Sequence, residues 1–164
     1  MHTADDVFAM PRNDAELEAA RARSRSLVTK RAALASASSL IPLPGIDIAA
    51  DIALLLQLIP AINKEFGLTP DQIARLSPTK QLMVYKGIVT IGSAMIGKLV
   101  TREIIIEVLK TVGVRLTVKQ ATKYVPIAGQ ALSAALGFAA LKYIGSQHIK
   151  DCARVVLLVQ KEKT

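Results

Sequence analysis

The sequence predicts an all-α fold: two helical hairpins, each turned at a Pro/Gly corner, packed into one compact bundle. Three observations predict it. Apolar residues recur at helical spacing, as in Ile48, Ile52, Leu55, Leu56 and Ile59. The segment Ile41-Pro42-Leu43-Pro44-Gly45 is echoed by Val125-Pro126-Ile127-Ala128-Gly129, and each lies between long stretches of Ala, Leu, Ile and Val. Proline cannot continue a helix that needs its N–H and pushes the preceding residue out of the α region, and glycine then turns at no side-chain cost. Strand alternation is confined to the short run Ile88-Val89-Thr90-Ile91.

Taken in order, residues 1–12 have no period and read as a flexible N-terminus, and 13–164 as a single helical domain. Asn13 with Glu16 has the form of a capping box and opens a charged helix to about Ser26, with Leu17, Ala20 and Ser24 along one side. Leu27–Leu40 forms a short first arm and Ile46–Phe66 a second, with a kink expected at Pro60 and Gly67 placed as a C-terminal stop. Thr69-Pro70-Asp71-Gln72 supplies a cap, a proline at the first helical position and a closing Gln; Ser77-Pro78 repeats the start. That helix is expected to run to about Val100. The next spans Arg102 to about Lys123, with Ile105, Val108, Leu109, Val112 and Leu116 on its apolar side. The last runs from about Gln130 to Gln160, interrupted near Gly145.

The 164 residues suffice for one domain that buries roughly 70% of its unfolded surface. Half the chain is apolar, yet it holds only three Tyr, three Phe and no Trp, so few rings are present to stack on bases or sugars. The net charge is +8 and uneven: residues 1–26 carry four Arg against five acids, the remainder 17 basic against 8 acidic residues. A basic helical body points to an anionic partner. The single cysteine, Cys152, permits no intrachain disulfide or Cys-based metal cluster and fits a reducing compartment. The N-terminal residues lack the apolar core of a secretory signal. Residues 124–141 and 32–63 are long and apolar, but the first is diluted by Pro126, Gly129, Gln130, Ser133 and Gly137 and the second broken by Asp47 and Asp51, which favours a buried hairpin over a spanning helix.

Several residues invite a chemical reading. Gly92-Ser93-Ala94-Met95-Ile96-Gly97-Lys98 follows the phosphate-loop pattern until Leu99, where a hydroxyl for Mg²⁺ belongs; a helix with glycines at close contacts explains Gly87, Gly92 and Gly97 more simply. Asp47 and Asp51 share a helix face near a helix start, where negative charge is favoured; without partners for acid–base chemistry they are expected to orient the second arm, pairing with Lys30 or Arg31. Gly129, Ser133 and Gly137 form a close-packing seam. Arg115, Lys119 and Lys123 make a basic stripe suited to anionic lipid. His148 and Cys152, one turn apart, are too few for a metal site, and Cys152 reads as a small core residue. The site expectations are therefore structural turns (Pro42, Pro44, Gly45, Pro126, Gly129), helix-start carboxylates, seam and stripe, with no catalytic residue, metal or cofactor.

The run from Ala35 through Leu55, containing Ile41-Pro42-Leu43-Pro44-Gly45-Ile46-Asp47-Ile48-Ala49-Ala50-Asp51, followed by Phe66-Gly67-Leu68, resembles the helical domain of the immunity-related (interferon-inducible) GTPases and a bacterial helical domain found with Era-like GTPases. Lys123-Tyr124-Val125-Pro126-Ile127-Ala128-Gly129 through Tyr143 resembles the downstream part. The resemblance implies membrane association, contact with a GTPase domain, and structural roles for Pro42, Pro44, Gly45, Asp47 and Asp51. The chain contains no GTPase domain.

Together these readings predict a non-enzymatic, cytoplasmic module, peripheral to an anionic membrane, that recruits a partner such as a GTPase or its own oligomer. No basic–aromatic interleaving or reader motif points to nucleic acid. A membrane-permeabilising toxin with inserting hairpins and a soluble helical adaptor are the alternatives.

Overall fold

The computed structural model describes residues 9–38, 46–120 and 129–161, with side chains described for 9–34, 51–112 and 138–161. The fold is all-α: α1 (Asp14–Ser38), α2 (Ile46–Glu65), the single-turn α3 (Pro70–Ala74), α4 (Pro78–Ile91), α5 (Arg102–Gln120) and α6 (Gly129–Lys161). No strand occurs among the described residues. Helix α6 is the centre, packed against α1, α2, α4 and α5. Its composition suits that place, since Leu141, Ile144, His148, Ile149, Cys152, Ala153, Val155, Val156 and Val159 are buried around more than one face.

Local chemistry sets the helix ends. At the start of α1 the Glu16 N–H donates to Asn13 Oδ1 at 2.9 Å. Glu16 Oε2 reaches back one residue further than a standard capping box and accepts the Arg12 N–H at 2.8 Å. The same carboxylate pairs with the Arg12 guanidinium, and these bonds hold its pKa below the usual value. Leu17, Ala20, Ser24, Val28 and Ala32 bury one face. The charged helix and the short first arm are in fact one helix of 25 residues, because the i, i+4 row of small and apolar residues continues unbroken against α6 and α2.

Helix α2 continues through Pro60 and ends at Glu65. Leu68 N–H then donates to Asn63 O at 2.9 Å and Gly67 N–H to Lys64 O at 3.1 Å, the paired bonds of a Schellman stop. Gly67 has φ of 68°, and a Cβ there would lie 2.4 Å from Met10 N. Both the left-handed backbone and the crossing of the N-terminal segment therefore require glycine. Gly67→Ala is expected to cost about 1 kcal/mol for the backbone and to lift residues 9–12 from the bundle, breaking the 2.9 Å bond from Gln160 Nε2 to Pro11 O. Limited proteolysis should then cut ahead of α1; an unchanged digest would refute this.

Thr69 and Gln72 close the expected box on α3: Gln72 N–H donates to Thr69 Oγ1 at 3.3 Å and Thr69 N–H to Gln72 Oε1 at 3.1 Å. Pro78 opens α4, but this helix stops at Ile91, where Gly92 adopts φ 72° as a left-handed cap. A helix running to Val100 is thus corrected to a helix and an irregular segment over 92–101. Residues 88–91, strand-like in sequence, are the last turn of α4, held there by Val84, Gly87 and Ile88 packing toward the core. In α5, Ile105 and Val112 are buried and Val108 and Leu109 half-buried, as the periodicity predicts; the Leu116 side chain of the same predicted face lies outside those described.

No interruption occurs at Gly145: α6 is one helix of 33 residues. Gly145 is instead a contact point, since a Cβ on it would meet Val28 Cγ2 at 2.6 Å. The glycine marks the close approach of α1 and α6.

Helices α1 and α2 pack together, as do α5 and α6, and each pair is separated in sequence by a Pro/Gly corner. The corner residues Pro42, Pro44, Gly45 and Pro126 lie outside the described residues; Gly129 is the first residue of α6. Among the described residues one stretch, Asp51–Ala74, is long and apolar enough by composition to cross a membrane, and half of an apolar 18-residue window within it is buried. Here it is not one rod, because the left-handed Gly67 divides α2 from α3. Its residues Leu55, Leu58, Ile59, Ile62 and Phe66 are fully buried in the core.

Candidate functional site

Most residues expected to carry function fall where side chains are not described. Asp47 lies in the first turn of α2, Arg115 and Lys119 in α5, and Ser133 and Gly137 in α6; Lys123 is outside the described residues. Asp51 is half-buried. Arg31 does reach α2, where Nη1 donates to Gln57 Oε1 at 2.5 Å.

The phosphate-loop-like segment follows an α-helix, α4, rather than a strand, and leads from it to α5. Ile96 is fully buried, Lys98 is exposed, and the glycines serve turns: φ is 72° at Gly92 and 66° at Gly97. These glycines are left-handed turn residues, not the in-helix contact points the sequence implied. The strand–loop–helix geometry that aims backbone N–H groups at phosphate is not built here.

What anchors this segment is a buried polar cluster. Asn63 Nδ2 donates to Met95 O at 2.8 Å. That bond fixes the amide so that Oδ1 faces His148, whose Nε2 lies 2.8 Å away. Nε2 must therefore carry the proton, leaving Nδ1 a bare acceptor without a partner. Cys152 Sγ is 3.5 Å from Asn63 Oδ1 and 3.6 Å from His148 Nε2. Cys, His and Asn together suggest a nucleophile and its base, but the environment opposes it. Burial lowers the His148 pKa to about 4 and pushes the Cys152 thiol well above its ordinary value. A neutral thiol against a neutral imidazole, sealed from solvent, is a packing element. Cys152 is the buried small residue the sequence predicts. No group of three metal-binding side chains forms among the described residues.

The surface feature that stands out is α4. Its inner side buries Val84, Gly87 and Ile88. Its outer side presents Leu82 at 70% exposure, Tyr85 at 47% and Val89 at 79%, and Leu99 after it is 81% exposed. Leu82, Tyr85, Lys86 and Val89 follow i, i+3, i+4, i+7 spacing and so share one face. Residues 72–102 contain Arg75, Lys80, Lys86, Lys98 and Arg102 and no acid. Sequence reasoning missed this row because α4 is apolar on two faces, and only packing reveals which is covered. The acid-free stretch was the available signal.

No family model, curated protein or solved structure matches the chain. The likeness to GTPase-associated helical domains rests on the two corner segments and their flanking residues alone.

Proposed function

We propose that this protein is a non-enzymatic helical module that docks reversibly on an anionic bilayer, presenting the rest of its bundle to a partner. The observation that supports this reading is the exposed apolar row of α4 set in an acid-free basic segment. Scattered exposed apolar residues need no explanation, but a row of them on one helix face, with Lys86 within it and exposed Lys98 in the segment that follows, suits the headgroup–acyl boundary. Transfer of Leu82, Tyr85, Val89 and Leu99 contributes on the order of 1–2 kcal/mol each. Lys86 and Lys98 contribute on the order of 1 kcal/mol each near an anionic surface. The sum suits reversible rather than integral attachment. A protein partner would need acids to meet the cations of this segment, whereas an anionic bilayer supplies both the charge and the apolar phase.

Flotation with phosphatidylcholine and phosphatidylcholine/phosphatidylserine vesicles tests it. The wild type should float with the anionic vesicles and lose part of that binding in high salt. Leu82→Ser with Val89→Ser should reduce flotation about tenfold or more, with unchanged circular dichroism because both sites are exposed. Equal flotation of variant and wild type would overturn the proposal, as would dye release by salt-resistant protein or failure of the wild type to bind.

A further inference from the structure

A second surface, formed by α1 and α6, has a different chemistry. Arg21 and Arg25 lie one turn apart on α1; Lys142, Lys150 and Arg154 line the facing side of α6. With Thr29 and Ser146 they enclose a groove of about 590 Å³ floored by Val28 and Ile149. No acidic side chain lines it. Two of its cations touch carboxylates outside it, Arg21 Nη1 with Glu18 at 2.6 Å and Arg154 Nη1 with Asp151 at 4.0 Å. Lys142 lies 5.7 Å from the Phe138 ring centroid. Arg25 and Lys150 form no ion pair among the described residues.

The close approach at Val28 and Gly145 creates the groove, because it brings the cationic sides of two helices together. Folding gains nothing from assembling five like charges, which repel one another. An anion would relieve that repulsion. Lys142 and Arg154 are separated by roughly 18 Å of helix, so a single phosphate cannot serve the whole row. No aromatic side chain lines the groove to stack a base, which disfavours a nucleotide, whereas Thr29 and Ser146 can bond hydroxyls and arginine forks match phosphate oxygens.

We propose that the α1/α6 groove binds a small polyol carrying several phosphates, either free in solution or as the headgroup of a lipid. This site is independent of the α4 face. Calorimetry with inositol hexakisphosphate at physiological salt should detect saturable binding by the whole protein. Arg25→Glu with Lys150→Glu should weaken it about tenfold or more, while Lys110→Glu with Lys161→Glu, an equal change of charge at exposed positions outside both the groove and the α4 segment, should leave it within about twofold. Phosphatidylinositol bisphosphate vesicles, compared with phosphatidylserine vesicles of matched charge, separate the two sources. Preference for the former, lost in the groove variant, assigns the headgroup; soluble binding without preference assigns the free ligand. The Leu82→Ser/Val89→Ser protein should still bind inositol hexakisphosphate, so failure of the α4 reading leaves this one standing. No binding by the wild type, or equal weakening by the two charge-reversed pairs, would overturn it.

Discussion

Gly145→Ala is expected to destabilise the fold by about 2 kcal/mol, although alanine is the better helix former by about 1 kcal/mol. The added Cβ would lie 2.6 Å from Val28 Cγ2 and 3.0 Å from Cγ1. Both methyls belong to a β-branched side chain that holds essentially one rotamer in a helix, so neither can swing aside. Relief requires α1 and α6 to separate, loosening an extensive packed interface. The sign should reverse when Val28 is shortened. In a Val28→Ala background the new methyl enters vacated space, and Gly145→Ala should become neutral or stabilising by up to about 1 kcal/mol. Urea unfolding of the four proteins of this cycle gives the coupling directly. Additive effects would mean that the close approach is not what glycine serves, and would also remove the stated cause of the α1/α6 groove.

That glycine also shows where sequence reading succeeds and where it stops. Endings written in a few adjacent residues were legible: Gly67 and Thr69 with Gln72 act as their identities predict, and Asn13 caps α1 while Glu16 reaches back to Arg12 rather than Asn13, because a cap is a local hydrogen-bond problem. Gly92 and Gly145 look alike in sequence, each a lone glycine in an apolar run. One ends a helix with positive φ and the other lies inside one against Val28; the difference is made by distant neighbours. The same holds for surfaces. Leu82, Tyr85 and Val89 have the spacing of a core stripe, as do Val84 and Ile88, and only packing on α6 selects the second set for burial. The groove takes two cations from α1 and three from α6, and nothing in the sequence joins them because the two helices stand at opposite ends of the chain. Asn63 gave no signal at all, since an amide within an apolar helix acquires meaning only when Met95 and His148 arrive beside it.

His148 carries the second large expected effect, a loss of stability on acidification. Its folded pKa, about 4, lies below the 6.5 of an unperturbed imidazole. Between these values the unfolded chain binds a proton that the folded chain refuses, so stability is present above pH 6.5 and falls as the pH drops toward 4. The full loss is about 3 kcal/mol, of which about 2 should appear between pH 7.5 and 5. The cause is burial, compounded by geometry: protonation would place a second N–H at Nδ1, where no acceptor waits. Asp151 works in the opposite direction, since partial burial raises its carboxyl pKa and protonation relieves that cost. Comparison with His148→Gln therefore isolates the imidazole, because the glutamine amide can still donate to Asn63 Oδ1 but does not titrate. Urea unfolding at pH 7.5 and 5 should show a distinctly shallower loss in the variant, and parallel losses in the two proteins would refute the assignment. Since Asn63 holds both His148 and the Met95 carbonyl, the earliest amides to lose exchange protection in mild acid should be those around Met95, in the segment that joins α4 to α5.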